Sequence, residues 1–287
     1  MKTVLKHYLN LLDLEPIDAN RFRGNSQDLG MPNVFGGQVL GQALAAAGRT
    51  VAGRLCHSLH AYFLRPGDAS LPIEYEVDRI RDGRSFTTRR VVALQNGRAI
   101  FNLAASFQVD EAGLEHQSSM PSGVPGPEGI TSELELRKRI AHLIPEATKE
   151  IILGDRPIEI RPVDPVDYVE PDPRPPFKYS WFRAVDRLPD DPALHRCVLA
   201  YASDFGLLST CMLPHSVTFF QPAVRAASLD HALWFHREFR ADEWLLYAME
   251  SPSAAHTRGL NRAQIFTRDG RLVASVCQEG LVRVRKS

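Results

Sequence analysis

The sequence predicts an α+β fold built from two similar halves, and three observations carry that expectation. Strand-like runs rich in β-branched and aromatic residues gather toward both ends of the chain. Each group follows an Ala- and Leu-rich helical stretch, an order typical of α+β folds. Each group also holds one Gly-centred hairpin turn at a matching place, Asn96-Gly97 in the first and Asp269-Gly270 in the second.

In chain order, Gly36-Gly37 opens a stretch, QVLGQALAAAGRT, whose Ala and Leu content predicts a helix. Strands are expected at 57–64, 72–80, 85–94 and 99–108. The second half begins with a helical stretch over 191–208, with Pro192 suited to a first turn. Strands are expected again at 230–236, 244–250, 258–267 and 272–282. Phe63 precedes Gly97 by 34 residues, and Phe235 precedes Gly270 by 35. That spacing indicates a duplicated unit. Between the halves, the run 162–176 holds six prolines and reads as a surface linker, because proline lacks the amide donor of a central strand. An amphipathic helix is expected over 132–152, broken near Pro145, with Ser132 and Glu135 as a capping box. The expected division is 1–118, a connector at 119–177, and 178–287.

Composition excludes several function classes. Lys plus Arg equal Asp plus Glu at 34 each, which argues against a nucleic-acid-binding surface. Cys56, Cys197, Cys211 and Cys277 are widely spaced and have no zinc-ligand pattern, so no metal is expected and a reducing compartment fits. No signal-peptide core, membrane-length apolar run or C-terminal Ser-Lys-Leu is present, so a cytoplasmic location without membrane insertion is expected. There is no Gly-x-Ser-x-Gly elbow. Gly36-Gly37-Gln38-Val39-Leu40-Gly41 has phosphate-loop spacing but lacks the Lys and Ser/Thr that ATP binding needs. Its glycines read instead as small residues that let a central helix approach the sheet. His57 and His60 lie three apart on an expected strand, which should aim them at opposite faces and away from a shared ion. His231 and His236, five apart, fail in the same way.

Several stretches together resemble the acyl-CoA thioesterase II (TesB-like) family. They are residues 21–42, 57–68 and 82–90, Ala200-Tyr201-Ala202-Ser203-Asp204, Asp230-His231-Ala232-Leu233-Trp234-Phe235-His236 and Gln278-Glu279-Gly280. The resemblance implies a double-hotdog fold, each half a helix wrapped by an antiparallel sheet. It implies hydrolysis of acyl-CoA to fatty acid and CoA without a cofactor, in a self-associating protein. It also implies a catalytic set of Asp204, Ser228 and Gln278, with Ser228 standing where the family usually has Thr. These residue types suit a thioester, which needs chiefly a positioned water and a stabilised oxyanion. Anchoring the halves on their Gly-Arg turns places Ala105 opposite Gln278, so a catalytic set is expected only in the second half. Arg65, Arg89 and Arg90 are candidate phosphate contacts by charge alone. A non-catalytic acyl-CoA-binding module and a hotdog enoyl-CoA hydratase are the competing readings.

Overall fold

A computed structural model describes residues 1–31 and 33–285, so the terminal Lys286-Ser287 lies outside the described residues. The first half runs α1 (Thr3–Leu12), β1 (Glu15–Pro16), β2 (Arg21–Gly24), α2 (Gly36–Gly48), β3 (Leu55–Phe63), β4 (Ile73–Asp82), β5 (Phe86–Gln95) and β6 (Arg98–Gln108). The middle contributes α3 (Glu133–Arg139), α4 (Glu146–Leu153) and β7 (Ile158–Pro162). The second half adds β8 (Phe177–Ala184), α5 (Pro192–Ala202) and β9 (Val224–Ser228). It ends with β10 (Asp230–Phe235), β11 (Leu245–Ala255), β12 (Arg258–Thr267) and β13 (Leu272–Val284).

All the strands join one antiparallel sheet in the order β1-β2-β4-β5-β6-β3-β10-β13-β12-β11-β8-β7, with β9 also on β13. The β3–β10 junction links the halves, pairing Tyr62 with Asp230 and Ser58 with Trp234. This register centres on His60 and Ala232, an offset of 172 residues, and the same offset carries Phe63 onto Phe235. The duplication expected from the turns is therefore built into the strand register.

Alternation explains the strands. On β5, Thr87, Arg89, Val91, Ala93 and Gln95 turn inward while their neighbours stay more exposed. The central helices are buried on nearly every side, α2 from Gly37 to Leu44 and α5 from His195 to Ala202. They run antiparallel: an added Cβ on Gly37 would overlap the Tyr201 carbonyl oxygen, and one on Gly41 would lie 3.1 Å from that of Cys197. The glycines thus admit the partner helix, whereas the expectation was an approach to the sheet. Gln42, wholly buried on α2, is satisfied by the Leu11 and Asn25 carbonyls and by the Tyr75 hydroxyl.

The Ser132–Glu135 capping box forms as expected, but α3 already stops at Arg139, a 3₁₀ turn follows at Ala141–Leu143, and α4 starts after Pro145. Two further local expectations fail. The second helix stops at Ala202 rather than 208, and a 3₁₀ turn follows at Leu208–His215. Ser203 returns its hydroxyl to the Ala200 carbonyl, and Gly206 takes φ +73°, which redirects the chain. A bulge between Cys56 and Ser58 also shifts β3, so His57 and His60 share the outer face. There His57 bonds the Ser106 hydroxyl and His60 packs edge-on against Trp234. No described helix is long and apolar enough to cross a membrane.

Candidate active site

Asp204 sits in the turn that ends α5, and its carboxylate meets the N-terminus of α2. That helix starts after Phe35 with no side-chain cap of its own. The Gly37 amide is turned toward Asp204 and draws its carboxyl down, so a carboxylate from the second half sits at the start of a helix of the first. A helix N-terminus presents unpaired amides and a positive dipole end, both of which favour an anion. Gly36 is held open for the same contact: an added Cβ would lie 2.8 Å from both Asp204 Oδ2 and the Phe63 ring.

Ser228 closes β9 opposite Gly280 on β13, and Gln278 lies two residues before that glycine. Gln278 is wholly buried. Its Nε2 donates to Asp204 Oδ1 at 2.7 Å and to Ser228 Oγ at 3.0 Å. Ser228 Oγ in turn reaches Asp204 Oδ1 at 3.5 Å, at the long limit of a hydrogen bond. Gln278 Oε1 is buried with no partner among the described residues. Burial raises the Asp204 carboxyl above its usual range, against hydrogen bonds from Gln278, Gly37 and Ser228 that pull it down. The result is a desolvated carboxylate of enhanced basicity beside an unoccupied amide acceptor.

The comparisons with known proteins fall on both halves. A family model described as acyl-CoA thioesterase matches residues 153–281, and one described as acyl-CoA thioesterase N-terminal domain matches residues 25–108. The acyl-CoA thioesterase 2 of Haemophilus influenzae is 43% identical over 99% of both chains. The chain belongs to the acyl-CoA thioesterase family. Acyl-coenzyme A thioesterase 8 of Homo sapiens is 41% identical, covering 96% of this chain and 88% of that one. A crystal structure of an acyl-CoA thioesterase II from Mycobacterium marinum is 43% identical, with a TM-score of 0.79 across 97% of this chain and 99% of that chain. The double-hotdog architecture expected from the resemblance is the one this family member has.

Within this thioesterase, the three side chains singled out in the sequence come together, though 24 residues separate Asp204 from Ser228 and 50 separate Ser228 from Gln278. The two halves differ at the equivalent places of the repeat. In the first half Leu59 faces Ala105, both in the apolar core. The pairing of Ala232 with Cys277, continued by one residue, puts His231 and Gln278 at the equivalent places. An apolar pair in one half is a polar pair in the other.

Sequence reasoning missed the α2 amides at Gly36 and Gly37, and it considered His231 only as a metal ligand. Among the described residues no cluster of three or more His, Cys, Asp or Glu could hold a metal. Arg89 is corrected as a phosphate candidate. It is buried, and its guanidinium is used by Thr50, the Arg81 and Thr88 carbonyls and Asp82. All four cysteines are free, and burial raises every one of their thiols, Cys56 and Cys197 to about 12. A thiol held protonated in this way is a poor nucleophile.

Proposed function

We propose that this chain hydrolyses acyl-CoA thioesters by direct attack of a water held and activated by Asp204, Ser228 and Gln278. The observation that carries the reading is the convergence of these groups on one buried point at the start of α2. Asp204 accepts a proton from the water as its oxygen bonds to the thioester carbonyl carbon. The Gln278 amide oxygen accepts the water's other proton in a hydrogen bond, and the Ser228 hydroxyl fixes the direction of approach. The Gly36 amide, which is not committed to Asp204, is the donor offered to the developing oxyanion. The C–S bond then breaks, releasing a fatty acid and the CoA thiol, which takes up the proton held by Asp204. A thiol-release assay over acyl-CoA esters of graded chain length tests the activity directly, and absence of release with every ester would overturn it.

An enoyl-CoA hydratase would require a His free to act across the C2–C3 bond. His231 is the imidazole beside Asp204, and both of its ring nitrogens are already engaged. In this proposal residues 178–287 supply the catalytic side chains, 1–118 supply the α2 amides and one wall, and 119–177 form the connector. Family resemblance further supports a homo-oligomer in the cytoplasm. Light scattering of the purified protein tests the first, and fractionation of the source cells the second.

Ser228 gives one check on this arrangement. Ser228→Thr keeps the hydroxyl that touches Gln278 and should hold or modestly raise kcat, while Ser228→Ala should lower it by about tenfold, the scale of one lost hydrogen bond. Equal rates in all three forms would remove the hydroxyl from the mechanism.

The pH profile gives another. Asp204 acts only when ionised, so kcat should rise with pH through its pKa and level off above it. Burial places that acid limb above the ordinary aspartate range. Gln278→Met, which removes a hydrogen bond to the ionised form while keeping the site dry, should move the limb further up. A limb at the ordinary aspartate position, or one that moves down in Gln278→Met, would contradict the assignment.

A further inference from the structure

We infer that His231 is a positioning residue for Gln278, fixing which end of its amide faces Asp204 and which faces the attacking water. The inference rests on the water-attack reading above and extends it to a residue outside the catalytic set.

His231 lies on the inward face of β10 and is buried. Its Nε2 is 2.9 Å from Ser203 Oγ, and its Nδ1 is 3.3 Å from Gln278 Nε2. Ser203 Oγ lies 3.0 Å from the Ala200 carbonyl oxygen, which can only accept, so the single hydroxyl proton goes there. The hydroxyl oxygen is then left as an acceptor, and His231 must donate to it from Nε2–H. Nδ1 therefore carries a lone pair.

That lone pair decides the orientation of the amide. Gln278 Nε2 gives one proton to Asp204 and shares the other between Ser228 Oγ at 3.0 Å and Nδ1 at 3.3 Å; Gln278 Oε1 in the same place would set two acceptors against each other. Asp204 Oδ1 imposes the same demand from its side at 2.7 Å. With Nε2 held by both, Oε1 is turned away from them, and it is the atom left buried without a partner among the described residues. Burial also holds the imidazole neutral, lowering it to about 3, so Nδ1 keeps its lone pair at ordinary pH. Ser203 is itself anchored, its amide on the Leu199 carbonyl and its own carbonyl on the Tyr247 hydroxyl at 2.6 Å. The first half has no such chain, since Leu59 and Ala105 occupy the equivalent places.

Three substitutions separate positioning from simple packing. Asn puts an amide oxygen near the place of Nδ1, so His231→Asn retains the acceptor for Gln278. Gln reaches the place of Nε2, so His231→Gln retains only the donor to Ser203. His231→Leu retains neither. The expected kcat for His231→Asn is within about threefold of the parent, while His231→Gln and His231→Leu lose about tenfold or more, as for a lost orienting hydrogen bond, with KM little changed. His231→Gln matching or exceeding His231→Asn, or Asn and Leu forms equal to each other, would overturn the inference. Nitrogen-15 NMR of the unmodified protein tests it independently of how the variants fold. A neutral His231 protonated at Nε2 is expected, and protonation at Nδ1 would overturn the inference. Asp204→Asn, measured alongside, keeps the readings apart. A near-normal rate there removes the catalytic set itself, whereas a collapsed rate with no Asn–Leu difference at His231 removes only this inference.

Discussion

Asp204→Asn should lower kcat by about 10²–10⁴-fold, the usual cost of losing a positioned general base. The substitution keeps the size and polarity of the side chain but replaces a basic carboxylate with an amide oxygen of negligible basicity. KM should move much less, because the lost interaction is made mainly in the transition state. The fold should persist, although the Gly37 amide and Gln278 Nε2 then face a neutral group in place of an anion. Adding Gln278→Ala to Asp204→Asn should cost less than the product of the two single losses, since both residues act on the same water. A well-folded Asp204→Asn protein with near-normal kcat would return Asp204 to the role of a helix cap.

Gly37→Ala should destabilise the protein through one added methyl between α2 and α5. The added carbon would overlap the Tyr201 carbonyl oxygen and lie 2.5 Å from the Phe35 ring, and neither a helix backbone nor a packed aromatic ring can yield cheaply. Overpacking of this kind costs about 1–3 kcal/mol. For a chain of this size that corresponds to a fall in Tm of roughly 2–5 °C, measured by calorimetry. Separating α2 from α5 also carries the helix N-terminus away from Asp204, so kcat should fall together with stability. Gly48→Ala is the control. It sits on the same helix with nothing within 4 Å, and should leave stability unchanged or raise it by up to about 1 kcal/mol. Equal melting temperatures for the two variants would contradict the close helix contact.

The strands flanking the Asn-Gly and Asp-Gly turns were legible because their alternation and those turns are local signals, whereas β8 (Phe177–Ala184) was not among the expected strands. The expected 99–108 and 258–267, for example, correspond to β6 and β12 with a change of at most one residue at either end. The short strands β1, β2, β7 and β9 carry too few residues to show a period, and they exist because neighbouring strands offer free edges. α5 ends earlier than expected because the Ser203 hydroxyl and the positive φ of Gly206 stop it locally, although Leu207-Leu208 beyond them are good helix formers.

Asp204, Ser228 and Gln278 were named through family resemblance, since nothing in their own neighbourhoods distinguishes a catalytic aspartate from a cap. The α2 amides could not be found that way, because a backbone donor leaves no side-chain signature. The doubled glycine at Gly36-Gly37 was the available signal, and it was read as helix–sheet packing. His231 was visible within Asp230-His231-Ala232-Leu233-Trp234-Phe235-His236, but its partner Ser203 is 28 residues away and meets it only through the fold. Likewise the β3 bulge, which brings His57 and His60 to one face, depends on pairing with β6 that strand periodicity alone does not contain.

The central claim is that water, and no group of the protein, attacks the thioester. A single turnover with enzyme in excess over acyl-CoA, run in ¹⁸O-water and quenched for mass spectrometry, tests it most directly. Direct attack predicts a fatty acid carrying one ¹⁸O from the first turnover and no acylated protein at any quench time. Unlabelled fatty acid, ¹⁸O in the Asp204 carboxylate, or an acyl adduct on any side chain would contradict it.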